Sequence, residues 1–204
     1  MIDYERFRKA PLVREPFDHL VVSGFLEPES LEPVLSGFPA IKKGGSFPAS
    51  ELSFGPSFAG LLEALRGPEL RAAVAEKFGI QLQGKPAMVT VRGHASAKDG
   101  RIHTDSETKI VTVLLYLNPG WKDEGGRLRL LRSKASLDDY FADIPPEAGT
   151  AVFFRCTDNA WHGHTPYVGE RRAIQLNWVT DESVVRHEER RHRFSARLKK
   201  WLPV

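Results

Sequence analysis

Cysteine is nearly absent from this chain: Cys156 is the only one in 204 residues. An internal disulfide and a cysteine-ligated zinc site are therefore excluded, and this usage suits a reducing compartment. No pattern sets a base beside Cys156, so it is read as a buried structural thiol and not as a nucleophile. No stretch approaches the roughly 20 apolar residues that cross a bilayer, and no membrane span is expected. The N-terminus, Met1-Ile2-Asp3-Tyr4-Glu5, carries two acids and no long apolar run, which argues against a secretory signal and for a cytoplasmic location. Internal repeats and low-complexity segments are missing. So are a Walker-type phosphate loop and a G-x-S-x-G nucleophile elbow.

What is present is the composition of a folded protein: 41% apolar, 10% aromatic and 27% charged residues. At about 150 residues per domain the length predicts one domain. The net charge of +3 is unevenly placed. Residues 185–204 hold seven Lys/Arg against Glu188 and Glu189, whereas the remaining 184 residues carry 22 basic and 24 acidic side chains. The body is near neutral and the tail is basic. Within that tail Phe194, Leu198, Trp201 and Leu202 fall at i, i+4, i+7 and i+8, one stripe of an amphipathic helix. Such a helix is expected to dock on its own sheet or on a second subunit, giving a homodimer. A nucleic-acid or anionic membrane contact is the weaker expectation for its basic face.

Punctuation along the chain predicts helices first and strands later. Residues 17–26 read as a strand entering a turn. A short helix opens at Pro28-Glu29-Ser30, and two more are expected over about 57–66 and 68–78, the last stopped by Gly79. The segment 42–56 is rich in Gly, Pro and Ser and reads as a mobile loop. Strand-like runs follow at 87–92, 109–117, 127–132, 150–155 and 171–179. This order predicts an α+β chain with residues 1–84 as helical support and a first strand. Residues 85–180 would form a β-sandwich or jelly-roll core, and 181–204 the basic C-terminal helix.

Two strands alternate cleanly. On 110–117, Ile110, Thr112, Leu114 and Tyr116 share one face, and Val111, Val113, Leu115 and Leu117 the other. On 171–178, Arg171, Ala173, Gln175 and Asn177 oppose Arg172, Ile174, Leu176 and Trp178. Either the more polar face meets water, or it lines a pocket while the apolar face packs on the helices. Alternation does not choose between them.

The chemistry bears on that choice. His103-Thr104-Asp105 puts an imidazole and a carboxylate at i and i+2, on one side of an extended segment. These are two members of a 2-His-1-carboxylate facial triad, the arrangement that holds non-haem Fe(II) with positions left open. The distal histidine is His162 or His164. Arg171-Arg172 follows at the head of a strand, and a guanidinium fork suits the distal carboxylate of a chelating 2-oxo acid.

With these residues the sequence resembles the Fe(II)/2-oxoglutarate-dependent dioxygenases, in particular their prolyl-hydroxylase-like branch, over about residues 87–179. The resemblance rests on His103-Thr104-Asp105, Tyr116-Leu117-Asn118, Gly125-Gly126-Arg127-Leu128, Gly149-Thr150-Ala151-Val152-Phe153-Phe154, and His162 with Pro166 and Arg171. In that branch a proline lies four residues, and the 2-oxoglutarate arginine nine residues, after the distal histidine; His162 fits both offsets and His164 neither. The resemblance implies a double-stranded β-helix (jelly-roll) core with iron held by His103, Asp105 and His162. It also implies 2-oxoglutarate at Arg171 and Tyr116, O2 as co-substrate, and ascorbate as an optional reductant. Succinate and CO2 would be released as a C–H bond of an amino-acid, prolyl, peptidyl or other small-molecule substrate is hydroxylated. Asp105 favours hydroxylation, because related halogenases carry a small residue in its place.

The branch usually has a tyrosine about ten residues before its first histidine ligand; here that position is Gly93, between Arg92 and His94. Arg92 is expected to bind a substrate carboxylate or to reinforce the 2-oxoglutarate headgroup. His94, Asn118, Leu128, Arg155, His164 and Asn177 complete the expected surroundings. Two rivals follow from the same residues: a nucleic-acid demethylase of the same superfamily, prompted by the basic tail, and a non-catalytic metal-binding jelly roll.

Overall fold

The computed structural model describes residues 1–188 and 190. Its elements run α1 (Tyr4–Lys9), β1 (His19–Val22), α2 (Pro28–Ser36), β2 (Phe47–Pro48), α3 (Pro56–Arg66) and α4 (Pro68–Phe78). They continue with β3 (Ala87–Ala95), β4 (Lys109–Tyr116), β5 (Leu128–Leu131), β6 (Tyr140–Ile144), β7 (Ala151–Arg155), β8 (His162–His164) and β9 (Gly169–Val179). Residues 182–188 are helical. The stripe from Phe194 to Leu202, and the dimer contact expected of it, lie outside the described residues.

Local chemistry accounts for the helix ends. Pro28, Pro56 and Pro68 each occupy a first helical turn, where a missing N–H costs nothing. Gly79 closes α4 at φ 65°, and its N–H bonds the carbonyls of Ala75 and Glu76. The segment 42–56 is more ordered than its composition suggests. Phe47 and Pro48 pair with Val91 and Thr90 at the edge of β3, and a 3₁₀ turn follows over Ala49–Glu51. Proline is tolerated there because an edge strand leaves one side of its backbone unpaired.

The strands form a six-stranded sheet in the order β1-β7-β4-β9-β3-β2 and a three-stranded sheet in the order β6-β5-β8, and every strand pair is antiparallel. Val111, Val113, Leu115, Ile174, Leu176 and Trp178 pack with Phe58, Leu61, Leu65, Leu70 and Val74 of the helices. The opposite face contributes Tyr116, Val152, Phe154 and Ala173 to a second cluster with Leu128, Leu130 and Ile144 of the smaller sheet. The apolar faces of β4 and β9 therefore meet the helices, and their more polar faces look inward between two sheets. This two-sheet sandwich backed by helices is the jelly-roll core.

Candidate active site

Cross-strand pairing sets out the inner face in rows. Thr112 pairs with Asn177 and Phe154, Leu114 with Gln175 and Val152, and Tyr116 with Ala173, which in turn pairs with Arg92. Paired residues share a face, so Arg92, Tyr116, Gln175 and Asn177 all look toward the smaller sheet. Arg171, two residues before Ala173, joins them. From the opposite side β5 and β8 pair Leu128 with His164 and Leu130 with His162, and so turn both histidines inward.

At one end of this face His103, Asp105 and His162 bring a ligand atom each to within 4.8 Å of one another. The segment carrying His103 is tied to β8 by a backbone bridge: His103 N–H donates to the His162 carbonyl at 3.0 Å, and His162 N–H returns the bond at 2.9 Å. Each imidazole is also oriented from its own segment. His103 Nδ1 lies 2.8 Å from the Arg101 carbonyl, and His162 Nδ1 3.0 Å from that of Ala160. A carbonyl only accepts, so Nδ1 carries the proton in both rings and Nε2 keeps its lone pair for a metal. Burial, then the neighbouring His103, holds the His162 imidazole down to about 4, so it is neutral at ordinary pH.

Asp105 is fixed through both oxygens. Lys109 Nζ donates to Oδ1 at 2.7 Å and Thr112 Oγ1 to Oδ2 at 2.5 Å. Asn177 Nδ2 donates to Thr112 Oγ1 at 2.6 Å, and Gln175 Nε2 to Asn177 Oδ1 at 3.2 Å. Cys156 closes the network, its sulfur 3.2 Å from Thr112 Oγ1. Burial pushes Asp105 upward, but the Lys109 charge, together with the hydrogen bonds from Lys109 and Thr112, works against it, and the carboxyl lies below its ordinary value. The same burial, with the Asp105 charge beside it, pushes the Cys156 thiol up to about 12, consistent with an unreactive thiol. The donor set of two imidazoles and one carboxylate suits Fe(II).

Beyond this triad stands a cationic end. Arg171 is buried, donates from Nε to the Gly126 carbonyl at 2.7 Å, and lies with its guanidinium carbon 5.2 Å from the Tyr116 ring centre. Its Nη2 is 3.5 Å from the Tyr116 hydroxyl. Burial keeps that phenol protonated, a donor beside a cation, which is what a carboxylate ligand needs. His164 donates from Nδ1 to the Thr165 carbonyl at 2.8 Å, and burial with the Arg171 charge holds it down to about 4.

Three expected members do not reach the site. Asn118 is spent on backbone: its Nδ2 bonds the Pro146 and Arg172 carbonyls at 2.7 and 3.0 Å, and its Oδ1 accepts from Arg172 N–H at 2.6 Å. Arg155 pairs with Val111, on the helix-facing side. A register shift between Arg92 and His94 pairs His94 with Glu170, not with the row of Arg171. Conversely, Lys109, Thr112 and Gln175 hold the site and carried no role in the sequence. Thr112 and Gln175 were visible only as members of the more polar face, and Lys109 carried no signal beyond its i+4 distance from Asp105.

Residues 91–180 match the family model of the 2OG-Fe(II) oxygenase superfamily. No curated protein sequence matches the chain. Among solved structures, a Pseudomonas putida prolyl-4-hydroxylase is 20% identical with a TM-score of 0.57, over 80% of this chain and 92% of that one. A prolyl 4-hydroxylase from Phytophthora capsici is 18% identical with a TM-score of 0.58, over 91% of this chain and 68% of that one. A Trichoplax adhaerens prolyl hydroxylase, in complex with a hypoxia inducible factor oxygen degradation domain peptide fragment, is 18% identical with a TM-score of 0.53, over 83% and 86%. At these identities the likeness is one of fold. The matched segment spans His103, Asp105, His162 and Arg171, so the part of the chain that carries the candidate site is similar to the 2OG-Fe(II) oxygenase superfamily, on the fold that these prolyl hydroxylases share.

Proposed function

We propose that the chain hydroxylates an unactivated C–H bond of an amino-acid, prolyl, peptidyl or other small-molecule substrate. His103, Asp105 and His162 would hold Fe(II), and Arg171 with the Tyr116 hydroxyl would receive the far carboxylate of 2-oxoglutarate. The observation that carries this reading is the single inner face on which three metal-ligand atoms within 4.8 Å of one another and a buried guanidinium with a phenol beside it both stand. A metal-binding module without catalysis has no use for the second half of that face.

Bound iron and 2-oxoglutarate, with O2, supply the oxidising chemistry and release succinate and CO2; the chain supplies orientation and a dry site. His103 and His162 present Nε2 because their Nδ1 protons are committed to backbone carbonyls. Thr112 and Lys109 hold the Asp105 carboxylate charged and in one orientation. Phe154, its ring centre 4.8 Å from that of His162, and Leu128 exclude water from the inner face. The peptide bound to the Trichoplax relative is what keeps peptidyl substrates beside free amino acids among the proposed classes. Ascorbate would act only as a reductant that restores Fe(II). No helix among the described residues is long and apolar enough to cross a membrane, and the single cysteine fits the proposed cytoplasmic setting.

Anaerobic addition of Fe(II) and then 2-oxoglutarate is expected to produce a visible charge-transfer band that His162→Ala abolishes. Folded, iron-loaded protein without that band would sink the assignment.

A further inference from the structure

Two guanidiniums, not one, stand on the inner face. Arg171 is absorbed by the reading above; Arg92 is not. Arg92 lies on β3 in the row Tyr116–Ala173–Arg92, and its Nε donates to Ser46 Oγ at 2.8 Å. Ser46 immediately precedes β2, whose pairing with β3 pins that segment over the sheet edge. The bond through Nε orients the guanidinium and leaves its two terminal nitrogens as an end-on fork.

Arg92 is set near acids as well as beside a second cation. Asp99 is the acid it feels most strongly. The Oδ2 of Asp99 is held by the Ser96 N–H at 2.8 Å and by the Ser96 hydroxyl at 3.1 Å. Burial, the largest influence on Arg92, works against its charge, and Arg171 on the same face adds to that opposition. A half-desolvated cation beside a second cation is costly unless an anion arrives to offset it.

Gly93 does not share this face. A Cβ there would fall 2.5 Å from Ile41 Cβ and 2.8 Å from the Ile41 carbonyl, on the side of the helices. No side chain fits at 93, and Arg92 is the residue of this stretch that looks inward.

On the reading proposed above, the two carboxylates of 2-oxoglutarate are already placed, one at the metal and one at Arg171 and Tyr116. Arg92 then faces an anion that 2-oxoglutarate does not supply. We propose that Arg92 receives a carboxylate of the substrate to be hydroxylated, so that the enzyme acts on a small free acid of the α-amino-acid kind and not on an internal residue of a peptide. A planar fork held at Nε suits a carboxylate bound through both oxygens.

The test rests on the iron and 2-oxoglutarate assignment but fails separately from it. The full chain is loaded anaerobically with Fe(II) and 2-oxoglutarate, and the charge-transfer band is recorded before any probe is added; its absence at that stage sinks the underlying assignment. The probes are the twenty common L-amino acids and their C-terminal amides, read by perturbation of the band and by succinate release in air. At least one acid is expected to act where its amide does not. Its apparent affinity should fall about tenfold or more in Arg92→Ala and Arg92→Gln, while 2-oxoglutarate affinity stays within about twofold. Arg92→Lys, which keeps the charge and loses the fork, should fall in between. Three results would overturn the proposal: no acid perturbs the band, acid and amide act alike, or 2-oxoglutarate affinity falls in parallel with that of the probe. The last would move Arg92 to the 2-oxoglutarate headgroup.

Discussion

At the scale of single residues, Asp105 shows how a carboxylate ligand is prepared before a metal reaches it. Both oxygens are engaged, and the chain Gln175–Asn177–Thr112 ends on one of them. Removing the Thr112 hydroxyl leaves Asp105 and Asn177 each short of a partner inside the protein. Thr112→Val is expected to weaken Fe(II) binding by about 10–100-fold, measured by metal titration of the folded protein, and Thr112→Ser to restore it. The histidines give a pH dependence. Unfolded imidazoles titrate near 6.5, whereas His162 and His164 are held to about 4 in the fold. Between those values the unfolded chain takes up protons that the folded one refuses. The metal-free protein should therefore be at full stability at and above about pH 6.5 and lose stability as the pH falls toward about 4. Urea midpoints across that range should decline, and less steeply in His164→Gln.

At the scale of elements, what could be read from the sequence depended on length and on period. β4 and β9 are eight and eleven residues long, enough for alternation to declare two faces, and those faces lie where their chemistry suggested. β6 and β8 were missed. β8 is His162-Gly163-His164, too short for any period and without a β-branched residue; it is a strand because β5 pairs with it. The same applies to β2, whose Gly- and Pro-rich surroundings hide its pairing with Val91 and Thr90. α1 is six residues, started by the Asp3 side chain on the Arg6 N–H, and was likewise not foreseen. The triad histidines and Arg171 could be singled out because the His103-x-Asp105 pair and the offsets of Pro166 and Arg171 from His162 match the family's pattern. Asn118 and Arg155 were misplaced because sequence does not reveal which side chains the backbone claims. Gly93 tests the packing of one such element. Gly93→Ala drives a methyl into Ile41, and a cost of about 1–3 kcal/mol is expected from overpacking, read by chemical denaturation. Gly93→Ala combined with Ile41→Ala should recover little of it, since the two tightest contacts, the Ile41 Cβ and carbonyl, both remain.

At the scale of the whole molecule, one large sheet serves two masters. Its outer face is committed to the helices through Trp178, Phe58 and Leu61, and its inner face carries the chemistry, so the helices can support the site without touching it. A ligand that binds only the folded form stabilises it in proportion to the logarithm of its concentration. Fe(II) is expected to raise the melting temperature, by about 2.7 kcal/mol of stabilisation at a hundredfold excess over its dissociation constant. His162→Ala should erase that increment; because the truncation also opens space beside Phe154, the increment is read as the difference between the metal-loaded and metal-free transitions of the same variant. The paired backbone bonds between His103 and His162 carry a further consequence. Two of the three proposed ligands, His103 and His162, each donate a backbone N–H to the other's carbonyl, so their separation belongs to the hydrogen-bonded frame and not to the ion. Those two amides should resist exchange with deuterium in the metal-free protein. The ion then enters without ordering a loop, and its arrival should be set by diffusion and dehydration rather than by a folding step.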